Sequence, residues 1–192
     1  MKIIYFSLIV VIFLSFQHLH AQTTDISSVE STNTAELDKY PILSERLLNT
    51  EITLIEKDEK IKLADYRNDI IVLSFVAEWA TPARTTIADL NKLYSENLRN
   101  LMIIAVCAEV TKSDTWNFKK FVESSNIKFQ TGCINQKFVE EFIKISKFYG
   151  VPQSFVIKDQ KLRGVFTGYS PKINESLVNL VRKISAEENL NQ

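Results

Sequence analysis

The run Leu63-Ala64-Asp65-Tyr66-Arg67-Asn68-Asp69-Ile70-Ile71-Val72-Leu73-Ser74-Phe75, with Ala77-Glu78-Trp79 and Ala80-Thr81-Pro82-Ala83-Arg84 close behind it, places a buried strand directly before a helix. Ile70 to Val76 is almost continuously apolar and of strand length, the pattern of a strand covered on both faces. Beyond Pro82, a residue tolerated in a first helical turn, Ile87, Leu90, Tyr94 and Leu98 recur at helical spacing. The connection between the two elements is short and carries Trp79.

The flanking sequence repeats the alternation of strands and helices. Upstream, Ile52-Thr53-Leu54-Ile55 and Lys60-Ile61-Lys62-Leu63 flank Asp58-Glu59 and predict a hairpin. Downstream, Leu101 to Val106 predicts a second buried strand, and Ser113 or Asp114 can cap a helix carrying Phe118, Phe121 and Val122. Phe129 to Cys133 predicts a short strand, and Phe138, Phe142, Ile145 and Tyr149 mark another helix face. Ser154–Ile157 and Leu162–Thr167, joined by Lys158-Asp159-Gln160-Lys161, form a predicted antiparallel hairpin. The last helix enters through Ser170-Pro171 and buries Leu177, Leu180, Val181 and Ile184. The expected fold class is α/β, a central mixed sheet flanked by helices.

Two stretches carry a family resemblance. The run from Leu63 through Trp79 resembles the entry to the active site of thioredoxins, and among them the exported TlpA/ResA-type thiol–disulfide oxidoreductases. Tyr149-Gly150-Val151-Pro152 followed by Ser154-Phe155-Val156-Ile157 resembles the cis-proline loop and following strand of the same family. The resemblance spans about residues 47–186 and implies a thioredoxin-like fold, with an N-terminal β-hairpin and a strand-helix-strand insertion near residues 107–134. In that family a Trp-Cys-x-Pro-Cys run sits at a helix N-terminus, where the helix dipole favours a thiolate that attacks a substrate disulfide. Here the run reads Trp79-Ala80-Thr81-Pro82-Ala83. A methyl group neither ionises nor attacks, so no catalytic residue of the motif is intact. Neighbouring positions depart as well. Thr86 stands where the family usually has an acid, Ala88 where it has a proline, Val76 where it often has a second tryptophan, and Asp159-Gln160 where a turn glycine is usual. This spread of changes favours natural decay over an engineered pair of substitutions.

What the resemblance leaves is a binding geometry. Trp79, Val151 and Pro152 are expected to form an apolar groove in which the backbone before the cis-proline pairs with an extended peptide. The plainer alternative is that Trp79 packs in the core and Pro152 only shapes a loop. The expected partner is therefore a protein or an extended peptide, with the chain itself a monomer and without a cofactor. The second functional reading keeps enzyme chemistry, either through Cys107 and Cys133 or as a silenced form of an ordinary disulfide reductase.

Cys107 and Cys133 end two predicted strands with one helix between them, which makes those strands parallel and near neighbours. Three readings stand side by side: two inert buried thiols, a structural disulfide, or a relocated redox pair. Glu109, shortly after Cys107, is a lone carboxylate that can face the old motif, whereas Glu56–Lys60 and Glu187-Glu188 read as solvated surface.

Composition narrows the chemistry further. Lys and Arg number 23 against 23 Asp and Glu, so there is no basic excess for a nucleic-acid backbone. Residues 1–21 read as an export signal: Lys2, an apolar stretch from Ile3 to Phe16, and Leu19-His20-Ala21 as a cleavage site. The alternative is an uncleaved membrane anchor. Both histidines, His18 and His20, lie within this leader, so the mature chain has no His-based triad, Cys–His pair or zinc site, and no metal is expected. Residues 22–42 read as a linker, 43–188 as the folded domain and 189–192 as a tail. The expected location is periplasmic or otherwise extracytoplasmic.

Overall fold

Strand β3 (Ile70–Phe75) is buried along its whole length because a neighbouring strand lies on each side and helices cover both faces. It appears in a computed structural model describing residues 41–57, 59–109 and 112–190; the side chains of 108, 109 and 112–114 lie outside that description. The predicted leader, the linker up to residue 40, Asp58 and the Glu109 side chain therefore fall outside the described part.

The remaining elements follow in chain order. Helix α1 (Glu45–Leu48) leads into the hairpin of β1 (Glu51–Leu54) and β2 (Lys60–Lys62), and a 3-10 turn (Leu63–Tyr66) leads to β3. Helix α2 (Ala83–Ser95), β4 (Leu101–Glu109), α3 (Lys112–Ser124), β5 (Gln130–Asn135) and α4 (Gln136–Ser146) come next. Strands β6 (Gln153–Lys158) and β7 (Lys161–Thr167) precede the long α5 (Pro171–Leu190). The seven strands form one sheet in the order β2-β1-β5-β4-β3-β6-β7. β4 runs parallel to β3 and β5, whereas β6 is antiparallel to β3 and β1 is antiparallel to β5. This is the mixed sheet with an N-terminal hairpin and a strand-helix-strand unit that the sequence predicts.

The two faces of the sheet carry separate cores. Ile70, Val72 and Val76 pack with Ala83, Ile87, Phe118, Phe121, Leu177 and Val181 under α2, α3 and α5. Ile71, Leu73 and Phe75 pack with Leu48, Phe138, Phe142 and Phe155 under α1 and α4. Alternation along β3 sends successive side chains to opposite cores. On the second face Phe142 meets Phe155 at 4.6 Å and Phe138 at 5.1 Å between ring centroids, in edge-on arrangements favoured by aromatic quadrupoles. Gly132 lets β1 close onto β5: a Cβ there would lie 2.7 Å from Ile52 Cγ2 and 2.9 Å from the Thr53 carbonyl oxygen. Between α2 and α5, Arg182 donates two hydrogen bonds to Glu96, at 2.9 and 2.6 Å, which hold that carboxyl below its ordinary pKa.

Several sequence expectations are corrected. Helix α2 ends at Ser95, and Leu98 lies in a loop where Asn97 and Asn100 adopt positive φ. Helix α4 stops at a left-handed Lys147 (φ 56°), so Tyr149 is an exposed loop residue and not part of the helix face. Helix α3 starts at Lys112, which puts Ser113 and Asp114 inside it and not at its cap. The connection between β6 and β7 is only Asp159-Gln160, because Lys158 and Lys161 pair as the last rung of the ladder. Glu188 is no solvated helix end: it forms an ion pair with the buried Lys158, which also donates a 2.6 Å hydrogen bond to the Asn68 carbonyl.

Candidate functional site

The site lies where β3 runs out. Register pairs Phe75 with Val106 on one side and Gln153 on the other, so the C-terminal ends of β3 and β4 and the N-terminal end of β6 share one end of the sheet. The chain then turns through 76–82, with Val76 N–H donating to the Val106 carbonyl at 3.1 Å and Ala80 N–H to the Ala77 carbonyl at 3.1 Å. Ala83 N–H donates to the Ala80 carbonyl at 2.9 Å, and Pro82 stands at the N-cap of α2 with helical φ and no side-chain cap. Proline suits this position because it has no N–H to leave unsatisfied and its φ is already near the helical value.

Ala80 and Ala83 point into the core at 8% and 0% exposure, whereas Thr81 is exposed and Pro82 half-buried. The helix N-terminus that would stabilise a thiolate is present, but methyl groups stand where the sulfurs would be. Beneath them, on the face shared by Val72 and Val76, the Ser74 and Ser154 hydroxyls share a buried hydrogen bond at 2.9 Å. Thr86, one turn into α2 and 5% exposed, has a buried hydroxyl without a hydrogen-bond partner among the described residues. These groups are hydroxyls that do not ionise near neutral pH. None of these three hydroxyls can therefore act there as a carboxylate would.

Trp79 is 75% exposed, which rules out the core-packing reading of this side chain. The Val151–Pro152 peptide bond is cis, Pro152 is buried, and half-buried Val151 packs against both cores. The Pro152 carbonyl accepts from Gly168 N–H at 2.8 Å, which ties the loop to the end of β7. Tyr149, two residues earlier, is 89% exposed. Trp79, Tyr149, Val151 and Pro152 thus sit at the same end of the sheet. Arg84, the residue after the motif, spans to α3: its guanidinium lies 5.2 Å from the Phe121 ring centroid and donates to Ser125 Oγ at 3.1 Å.

Cys107 and Cys133 are joined in a disulfide, which replaces the reading of two inert thiols. They face each other in the β4–β5 ladder with Cα atoms 4.8 Å apart, within the range a disulfide needs. Both are buried, at 4% and 3% exposure, in the same core as Ala80 and Ala83. Counting residues back from each strand end could have located this register. The Ser74–Ser154 pair and the Arg84 bridge leave a weaker trace: only alternation along β3 hints that Ser74 lies beneath the motif. Among the described residues no group of three or more His, Cys, Asp or Glu is placed to hold a metal.

The sequence profile described as the AhpC/TSA family matches residues 44–165, nearly two thirds of the chain. The chain belongs to the AhpC/TSA family. No curated protein matches this family member in sequence. Among solved structures, a thiol:disulfide interchange protein from a Bacteroides species is similar, with TM-score 0.59 and 17% identity over 77% of this chain and 90% of that one. So is a thioredoxin-family thiol:disulfide interchange protein from Chlorobium tepidum, with TM-score 0.59 and 17% identity over 70% and 92% of the two chains. A secreted Mycobacterium tuberculosis disulfide oxidoreductase gives TM-score 0.57 and 12% identity over 73% and 99%. At these identities the likenesses establish the thioredoxin-like fold of this AhpC/TSA chain.

Proposed function

We propose that this AhpC/TSA chain is an exported, non-catalytic protein that binds a protein or an extended peptide through the groove at Trp79, Val151 and Pro152. One observation carries the reading: the motif keeps its turn, its helix N-terminus and its exposed tryptophan, while Ala80 and Ala83 present methyl groups where dithiol chemistry would need sulfur. Export is supported by the leader-like residues 1–21 and agrees with the secreted character of the mycobacterial structural relative. Whether the leader is removed or kept as an anchor, the domain then works outside the cytoplasm as a monomer.

A second reading is favoured by the disulfide alone: a bonded pair that accepts electrons from a substrate dithiol, becoming two thiols as the dithiol becomes a disulfide. Burial of both sulfurs weighs against it, because an attacking thiolate needs access. Disulfide-reductase turnover by residues 22–192 separates the two, with an Ala80→Cys/Ala83→Cys revertant and a Cys107→Ser variant alongside. The binding reading expects a silent parent and an active revertant. Turnover by the parent that vanishes in Cys107→Ser would transfer the function to the disulfide.

A further inference from the structure

The sheet order leaves β7 as an outer strand, and the described residues cover only its start: Ile42 pairs with Lys161, and Leu43 N–H donates to the Gln160 carbonyl at 3.1 Å. That contact is already a strand-like addition to this edge. Past it, the β6–β7 register is uninterrupted from Gly164 to Thr167, the only shift lying between Val156 and Ile157. In an antiparallel ladder alternate residues aim both backbone groups away from the partner strand, so this stretch offers donors and acceptors to an incoming chain.

A groove of about 340 Å³ lies beside the same stretch, lined by Val165, Phe166, Thr167, Lys172, Ile173 and Ser176. Its walls are mainly apolar, its one charge is positive, and no carboxylate lines it. β7 itself carries Lys161 and Arg163 and no acidic residue. Arg163 faces Glu187 at 3.9 Å, but Lys161 and Lys172 are exposed and have no ion-pair partner among the described residues.

We propose that the outer edge of β7, with this groove, docks an extended acidic segment of a partner protein, which adds a strand to the sheet and seats one apolar side chain against Phe166 and Ile173. Backbone pairing supplies attachment, the groove one side-chain preference, and Lys161 and Lys172 the preference for acidic flanks. This surface is separate from the groove at Trp79, although the Gly168–Pro152 hydrogen bond brings the two close. It stands whether or not that groove binds anything.

The test uses the protein from residue 22, with backbone amide exchange read at Gly164 to Thr167. The probe is a blocked heptapeptide of alternating Glu and Val or Leu, and the control has Lys in place of each Glu. The acidic probe should slow alternate amides of this stretch by roughly tenfold at saturation, and the lysine control should not. Lys161→Glu/Lys172→Glu should weaken the acidic probe by about tenfold, whereas Trp79→Ala should leave it unchanged. Equal slowing by both peptides, or by neither, would overturn the proposal. Loss of slowing in Trp79→Ala alone would overturn it by assigning the peptide to the Pro152 groove. Amides already slow before peptide is added would also overturn it, because the chain's own upstream residues would then hold the edge.

Discussion

Lys158 shows how one side chain can anchor a terminal element. Its aliphatic stem is buried, 8% exposed as a side chain, and its ammonium meets Glu188 of α5, Asp159 at 3.6 Å and the Asn68 carbonyl. Removing one partner of a buried ion pair leaves the other charge desolvated and alone, a larger loss than the pair's net contribution. Glu188 keeps 19% of its exposure, which tempers that loss. Glu188→Gln should therefore lower unfolding stability by about 2–3 kcal/mol, measured by urea titration. A change below the error of the titration would show that water already solvates the lysine. At the motif, Ala80 and Ala83 were legible at once, because the absence of sulfur needs no coordinates. The exposure of Trp79 was not legible, since a tryptophan beside a buried strand suits a core as well as a surface.

Among the elements, the β6–β7 hairpin bears a local strain that its sequence partly announces. Asp159 and Gln160 both take positive φ, 53° and 63°, in a two-residue loop between paired Lys158 and Lys161. Such loops favour Asn-Gly, because a side chain at positive φ crowds its own backbone. Asp159→Asn/Gln160→Gly should raise stability by about 1 kcal/mol, read as a higher urea midpoint at unchanged slope. A fall would mean that the 3.6 Å Asp159–Lys158 contact matters more than the turn. The strands were the most legible elements, since Ile70–Val76 and Leu101–Val106 read as buried runs. Helix ends were the least legible. Leu98 and Tyr149 continue the apolar spacing of α2 and α4, but backbone turns at Asn97 and Lys147 end those helices first. Periodicity registers side chains and is blind to a left-handed residue that stops a helix.

For the molecule as a whole, the Cys107–Cys133 bond ties the strand-helix-strand unit into the centre of the sheet. It closes a loop with a sequence separation of 26, and in the chain-entropy account this restricts the unfolded ensemble. Cys107→Ala/Cys133→Ala should cost about 3–4 kcal/mol of unfolding stability, measured in parallel with a reduced sample of the parent. A reduced parent as stable as the oxidised one would remove the disulfide from the list of stabilising features. Sequence order placed both cysteines at the ends of neighbouring parallel strands. Whether their side chains converge depended on register, which one residue of slippage would have reversed.

With both cysteines locked in that bond and both histidines confined to residues 1–21, residues 22–192 hold no side chain that ordinarily titrates between about pH 5.5 and 9. That part of the chain carries no imidazole and no free thiol whose charge would change across that span. A complex of residues 22–192 whose affinity changes between about pH 6 and 8.5 therefore takes its proton from the partner or from the chain's own α-amino group.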